Sequence, residues 1–199
     1  MAIISFIGGT GKLGSALINR LKLVEEHTIY IGSRNSEELK QFKNIPVLSN
    51  ETAAKRADII FLTLPYNGQH HVLKSIKHFV KGKIIVDTTV NLKKSEDNIS
   101  VSSAEQIQEL FGEHAQVVCA FQTISYLKLL SDKNVQDTIL VTSDKEEAAN
   151  IIISLIGQMS LNSVYLGKLG YSKVLEMLVP ILMSYNKRNE RKDSGIVII

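Results

Sequence analysis

The sequence predicts one α/β domain built on a doubly wound, mostly parallel sheet. Segments with the composition of strands alternate along the chain with segments of helical spacing, which is typical of a parallel sheet covered on both faces. The 199 residues are 44% hydrophobic and 22% charged, which is enough for one well-buried core in a globular protein. We find no internal repeat and no linker, so we expect residues 1–199 to form a single domain.

The first half of the chain supplies strands separated by amphipathic segments. The strands are predicted over residues 2–7, 28–31, 58–62 and 83–86. A helix begins near Gly11 with apolar residues on one face, and Asn35 with Glu38 has the pattern of a capping box that starts a short helix. The proline in Thr63-Leu64-Pro65 stops the third of these strands, and a helix is expected over about 69–79.

Two further capping-box patterns predict the helices of the second half. The patterns pair Ser102 with Glu105 and Ser143 with Glu146, each three residues apart. The helices that they open are expected over about 103–111 and 145–157, each beside an apolar strand. Cys119 lies in the apolar run Val117–Phe121, so we expect it in a buried strand rather than at a reactive site.

The last predicted helix, over about 171–186, is apolar almost all round. Such a helix requires burial on more than one side. The loops of the sheet or a partner subunit could cover the second side, and we expect a symmetric homodimer. The apolar run 174–183 within it is too short to span a bilayer and is interrupted by Glu176 and Pro180, so we expect no membrane segment.

Composition excludes several classes of function. A net charge of +3 is small for a nucleic-acid-binding protein. One cysteine and no export signal fit a reducing cytoplasm, and the five histidines show no pair with metal-chelating spacing, so we expect no metal site. No serine has the surroundings of a hydrolase nucleophile.

A glycine-rich turn follows the first predicted strand directly and opens the first predicted helix. Gly9, Gly11 and Gly14 form the pattern G-x-G-x-x-G in this position, which is the context of a Rossmann-type dinucleotide site. Gly9 is expected to permit the tight turn, Gly11 the approach of a pyrophosphate to the backbone, and Gly14 close packing of the helix. The helix N-terminus then offers free N–H groups to the phosphates.

The residues at the end of the second strand distinguish NAD from NADP(H). Sites for NAD carry an acidic residue there, which binds the ribose 2′-hydroxyl. This chain has Ser33 and Arg34, whose hydroxyl and guanidinium suit a 2′-phosphate. The residues therefore predict NADP(H).

With these motifs in view, the chain resembles the F420-dependent NADP oxidoreductase family, small enzymes that pass hydride between NADP(H) and the deazaflavin coenzyme F420. The resemblance runs nearly end to end. Its main segments are Phe6–Leu17, Ile29–Arg34, Ile60–Tyr66, Val117–Ile124 and Leu175–Asn186.

The resemblance implies roles for individual residues. Those expected to hold the cofactor are Gly9, Thr10, Gly11, Lys12, Leu13 and Gly14 around the phosphates, Ser33 and Arg34 at the 2′-phosphate, and Leu64, Pro65, Val90 and Ile124 on the nicotinamide side. Gln122 and Thr123 would lie on the side of the second substrate. No side chain is expected to act as a catalytic acid, because hydride transfer between stacked rings depends above all on placement.

One segment departs from the family. Gln122 stands where the family typically has His, and Ser125 where it typically has Pro. Glutamine does not titrate near neutral pH, so this change bears on the identity of the hydride acceptor.

The sequence is compatible with three functions. The first is a reductase that exchanges hydride between NADP(H) and F420 or a flavin-like small molecule. The second is an NADPH-dependent flavin or ferric reductase, and the third is an NADP(H)-sensing module without catalysis. A basic cluster, defined by Lys187, Arg188, Arg191 and Lys192, is either a solvated terminal turn or a patch that attracts the polyanionic tail of F420.

Overall fold

The computed structural model describes residues 1–34, 42, 44–92, 101–131 and 135–199. Within them, the strands are β1 (Ile3–Ile7), β2 (Thr28–Gly32), β3 (Val47–Leu48), β4 (Ile59–Leu62), β5 (Lys83–Asp87), β6 (Ala115–Cys119), β7 (Thr138–Ser143) and β8 (Asn162–Tyr165). The helices are α1 (Lys12–Leu21), α2 (Asn50–Arg56), α3 (Gln69–Ile76), α4 (Ser103–Phe111), α5 (Tyr126–Leu129), α6 (Glu146–Gln158) and α7 (Ser172–Arg188).

These strands form one sheet in the order β3-β2-β1-β4-β5-β6-β7-β8. Every described pairing is parallel except that of β6 with β7. The chain runs outward from β1 through β2 to β3, and then returns to the other side of β1 with β4. The strand order therefore reverses between β1 and β4, which is the position where open α/β sheets bind ligands.

Helices cover both faces of the sheet, so the predicted doubly wound, mostly parallel fold is confirmed. Alternate strand residues face opposite layers: Phe6 and Phe61 pack with α1 and α6, whereas Ile60 and Leu62 pack with α2, α3 and α4. Strands buried on both faces read as continuous apolar runs, as in Ile59–Leu62.

Most of the predicted elements of the first half lie where the sequence placed them. The segment 69–79 is an α-helix to Ile76 and a 3-10 turn over Lys77–Phe79. The predicted capping box of Asn35 and Glu38 lies outside the described residues. The short elements β3, α2 and α5 were not predicted, because two to seven residues give too little periodicity to recognise.

Of the two later capping boxes, one is confirmed and one is wrong. The Ser102 side chain accepts from the N–H of Glu105, and the Glu105 carboxylate accepts from the N–H of Ser102. Ser143, in contrast, is the last residue of β7, and its hydroxyl donates to the main-chain oxygen of Val117 in β6. The N-cap of α6 is Lys145, two residues later, and it makes no side-chain cap.

The expectation that the last helix is buried on more than one side is not met within one chain. Helix α7 buries the side chains of Ser172, Leu175 and Glu176. Val174 and Ile181 remain 54% and 60% exposed.

Cys119 is buried at the end of β6 as expected, and burial raises the pKa of its thiol well above the ordinary value, which makes it a poor nucleophile. Among the described residues, no helix is long and apolar enough to cross a membrane.

Candidate active site

The glycine turn joins β1 to α1 and contacts the ends of two neighbouring strands. The N–H of Gly8 donates to the main-chain oxygen of Gly32 at 3.2 Å. Gly8 has φ +81°, and a Cβ there would lie 2.8 Å from Leu64 Cδ2. It is therefore Gly8, rather than Gly9 as the pattern suggested, whose backbone conformation requires glycine.

The other glycines of the turn are explained by close packing. A Cβ on Gly9 would lie 2.8 Å from the Cβ of Phe6, and one on Gly14 would lie 2.7 Å from the Cα of Gly9. A Cβ on Gly11 would meet no protein atom closer than 3.5 Å. Gly9 and Gly14 therefore allow the start of α1 to pack closely on the turn, whereas a Cβ at Gly11 would make only ordinary van der Waals contacts.

Helix α1 begins with unbonded N–H groups. Its N-cap is Gly11, which has no side chain to accept from them. In the described part of the chain, the N–H groups of Lys12, Leu13 and Gly14 find no main-chain acceptor, and the first bond of the helix runs from Ser15 to Gly11. Such a helix end binds anions, because the free donors and the positive end of the helix dipole point the same way.

A cavity of about 570 Å³ opens beside this helix end, at the reversal between β1 and β4. It brings together six of the residues predicted to bind the cofactor, which are Thr10, Gly11, Ser33, Arg34, Leu64 and Pro65. It is also lined by residues that the sequence did not indicate, which are Gly8, Gly32, Asn50, Thr63, Gly68 and Val72. One cavity therefore joins an anion-binding helix end to an arginine at the end of β2.

The remaining residues predicted at the phosphates lie outside the cavity lining. The Lys12 ammonium lies over the ring of Tyr126, 5.4 Å from its centroid. Leu13 is half-buried and packs against the core. Gly9 and Gly14 lie inside the turn, so any contribution of these four residues to phosphate binding comes from their main chain.

The residues predicted near the nicotinamide and the acceptor follow β5 and β6. Val90 is half-buried after the end of β5, and Thr123 and Ile124 are buried after β6. Phe121, between them and β6, has φ +74° and is buried with its ring 6.1 Å from that of Phe61. Tight packing thus holds a strained residue at the start of this segment.

Gln122 is buried in the same segment and bonded to the neighbouring strand. Its Nε2 donates to the main-chain oxygen of Asp87 at 2.9 Å, and its Oε1 has no partner among the described residues. The amide thus ties the segment after β6 to the end of β5.

Asp87 itself is fully buried at the end of β5. Its Oδ1 accepts from the N–H of Thr89 at 3.0 Å and from its hydroxyl at 2.6 Å. Burial raises the pKa of Asp87 to about 7, and the charge of Glu176 adds to this effect, whereas the hydrogen bonds from Thr89 oppose it. Asp87 is therefore an interior carboxyl group close to the site and not a helix cap.

A polar network continues from Asp87 to α7. The hydroxyl of Thr89 contacts that of Ser103, at the start of α4, and the N–H of Ser103 donates to Glu176 Oε1 at 2.6 Å. Gln69 Nε2 donates to the Ser103 hydroxyl at 3.1 Å. The loop after β5, which carries Val90, is therefore anchored to three helices.

The predicted basic cluster lies apart from the cavity. The basic cluster is exposed at the end of α7, and Arg191 lines a separate cavity of about 530 Å³ with Lys128 and Asp137. Within the described ranges, no group of three or more histidine, cysteine, aspartate or glutamate side chains could hold a metal ion.

Comparisons with known proteins identify the family. The profile of the family described as "NADP oxidoreductase coenzyme F420-dependent" matches residues 3–91. The chain is 31% identical to the F420-dependent NADP reductase of Methanocaldococcus jannaschii, over 98% of this chain and 97% of that protein. It is 29% identical to the metalloreductase STEAP2 of Mus musculus over 85% of this chain but 34% of that protein.

A solved structure shares the whole fold. The crystal structure of a putative F420-dependent NADP-reductase from Arthrobacter sp. FB24 superposes with a TM-score of 0.87 over 100% of both chains, at 17% identity. At that identity the likeness concerns the fold alone, and the family assignment depends on the sequence matches. The chain belongs to the F420-dependent NADP oxidoreductase family.

Proposed function

We propose that this protein is an oxidoreductase that transfers hydride between NADP(H) and coenzyme F420. The observation that carries the proposal is the cavity, which places Ser33 and Arg34 beside the free helix end at Gly11. The relatives named F420-dependent NADP reductases, aligned over nearly their full length, support F420 as the acceptor.

The described residues fit the phosphates of NADP(H). The N–H groups at the start of α1 would hold the pyrophosphate, and the Arg34 guanidinium with the Ser33 hydroxyl would hold the 2′-phosphate. The bound cofactor supplies the hydride at C4 of its nicotinamide ring. Leu64 and Pro65 contribute an apolar wall to the cavity, and Val90 and Ile124 would extend it toward the acceptor.

Placement of the two rings would account for catalysis without a side-chain acid. The segment from Gln122 to Ile124 is held by the Gln122 bond to Asp87 and by the packing of Phe121. A rigid wall of this kind favours alignment of the reacting carbon atoms.

The experiment that tests the proposal offers NADPH with F420, FMN and FAD in parallel and follows oxidation of NADPH spectroscopically. We expect turnover with F420, and none with F420 would overturn the proposal. Turnover with FMN or FAD alone would favour the second candidate, a flavin or ferric reductase, which the likeness to STEAP2 supports. Binding of NADPH without turnover with any acceptor would favour the sensing module.

We also propose that the protein is a homodimer formed through α7. Val174, Met177, Ile181 and Tyr185 are exposed, and their spacing places them along one side of the helix. An apolar stripe of this kind is typical of an interface between subunits. Sedimentation should give a dimer for the wild type and a monomer for Ile181→Glu, and a monomeric wild type would overturn this proposal.

The compartment is a further proposal. Cys119, the one cysteine, is a buried thiol, and the chain has no means of forming an internal disulfide. This composition supports a reducing cytoplasm. The test is fractionation of the source cells. Recovery of the protein outside the cytoplasmic fraction would contradict the proposal.

A further inference from the structure

Asn50 is a buried polar residue in the wall of the cavity. It is the first residue of α2, where the Ser49 hydroxyl caps the helix by accepting from the N–H of Thr52. Its side chain is 7% exposed, and its Oδ1 has no hydrogen-bond partner in the described part of the chain. Buried acceptors are normally satisfied, so an unpartnered oxygen in the wall of a cavity points to a donor on a bound molecule.

The acceptor lies against the end of β2. A Cβ on Gly32 would approach Asn50 Oδ1 to 2.9 Å and the Asn50 Cα to 3.3 Å. Gly32 directly precedes Ser33 and Arg34, and all four residues line the same cavity. The unpartnered oxygen is therefore next to the proposed site of the 2′-phosphate.

The missing partner must be a hydrogen-bond donor. Phosphate groups are acceptors, so neither the pyrophosphate nor the 2′-phosphate can satisfy Oδ1. In dinucleotide folds the end of the second strand meets the ribose of the adenosine half. When the 2′ position carries phosphate, the remaining ribose hydroxyl is the 3′-hydroxyl, which can donate.

We propose that Asn50 is a specificity-determining residue of this site, whose Oδ1 accepts a hydrogen bond from the 3′-hydroxyl of the adenosine ribose. The inference deepens the proposed function and depends on NADP(H) being the cofactor. Sites for NAD carry a carboxylate at the end of β2, which binds the ribose 2′-hydroxyl. Here an uncharged amide from α2 would bind the 3′-hydroxyl instead, so this residue places no negative charge beside the 2′-phosphate.

The test measures dissociation constants of NADPH and NADH by calorimetry, with no acceptor present. Asn50→Asp keeps the size and the acceptor but adds charge, so we expect NADPH affinity to fall about tenfold and NADH affinity to be kept or improved. Asn50→Ala removes the hydrogen bond to the 3′-hydroxyl, which NADPH and NADH share. We therefore expect the affinities for the two cofactors to fall by a similar factor, about three- to tenfold. Asn150→Asp, exposed on α6, is the matched control and should change neither.

The outcomes separate this inference from the proposed function. Equal losses of NADPH and NADH affinity in Asn50→Asp, or unchanged affinities in Asn50→Ala, would overturn the role of Asn50 while wild-type binding of NADPH remained intact. A wild type that does not bind NADPH would overturn both. Thermal unfolding of each variant verifies that α2 still packs. We expect Asn50→Asp to fold normally, because a carboxylate at the first position of a helix is compatible with the helix dipole.

Discussion

The side-chain amide of Gln122 donates a 2.9 Å hydrogen bond to the main-chain oxygen of Asp87. This bond joins the segment after β6 to the end of β5, at the edge of the sheet where the cavity opens. Gln122 is 7% exposed and stands where the family resemblance predicts histidine. The Gln122 amide ties the segment after β6 to the end of β5, so we expect it to hold that segment in place and not to supply a proton.

Removal of this amide should lower the stability of the fold more than the affinity for NADPH. For Gln122→Ala we expect the free energy of unfolding to fall by about 1–3 kcal/mol, from the lost bond and the cavity left behind. The dissociation constant of NADPH should change less than about twofold, since the residue lies apart from the cavity lining. Gln122→His can donate to the same oxygen and should recover part of the stability. A large loss of NADPH binding in Gln122→Ala would contradict this division.

The burial of Asp87 should make stability depend on pH. Its pKa rises from 3.8 when unfolded to about 7 in the folded protein, so its contribution is fully present below pH 4 and is lost as pH rises through 7. Asp87→Asn keeps the acceptor for Thr89 and has no charge. We expect this variant to gain on the order of 2–4 kcal/mol over the wild type at pH 8, and little at pH 4.

Denaturant unfolding across this pH range measures the effect. Glu109→Gln, on the exposed side of α4, is the matched control and should leave the wild-type pH profile unchanged. The same decline between pH 4 and 8 in wild type and Asp87→Asn would show that Asp87 does not cause it.

Charge reversal at Arg34 should affect the two nicotinamide cofactors differently. Arg34→Glu removes a charge-assisted bond to the 2′-phosphate and places a carboxylate there, so we expect NADPH affinity to fall roughly 10- to 100-fold. NADH has no 2′-phosphate and should bind nearly as it does to the wild type. Arg188→Glu, exposed at the end of α7, controls for the change in net charge. Equal losses for both cofactors would argue against a 2′-phosphate at Arg34.

A methyl group at Gly14 should disturb the glycine turn. It would lie 2.7 Å from Gly9 Cα and 2.8 Å from Thr63 Oγ1, so α1 must shift away from the turn. For Gly14→Ala we expect a loss of about 1–3 kcal/mol in unfolding free energy, together with weaker NADPH binding. Gly157→Ala in α6 meets no atom within 4 Å and should be at least as stable as the wild type. Wild-type stability in Gly14→Ala would contradict the packing described for the turn.

The alternation of apolar strands and amphipathic helices was sufficient to predict the fold, because parallel strands buried on both faces are continuous apolar runs. Local cap patterns were less reliable. Ser102 caps α4 as its sequence indicated, but the same pattern at Ser143 is overridden, since its hydroxyl bonds to Val117 of the neighbouring strand. A tertiary contact of this kind has no local signal.

The sequence predicted half of the residues that line the cavity. The glycine turn, Arg34 and Leu64 follow strands that the sequence defines well, so these residues were recognised. Asn50 was missed because α2 is short, although Ser49 three residues before Thr52 is a cap signal that could have located it. The direction of the Lys12 side chain, toward Tyr126, depends on α5 and was not accessible to pattern analysis.

Isotope transfer tests the central claim most directly. NADPH carrying deuterium at the transferred C4 position is mixed with the enzyme and F420, and the reduced deazaflavin is analysed by mass spectrometry and NMR. If hydride passes directly between the stacked rings, deuterium should appear at C5 of the deazaflavin, where a carbon-bound hydrogen does not exchange with water. Reduced F420 without the label, or no reduction of F420, would contradict the account.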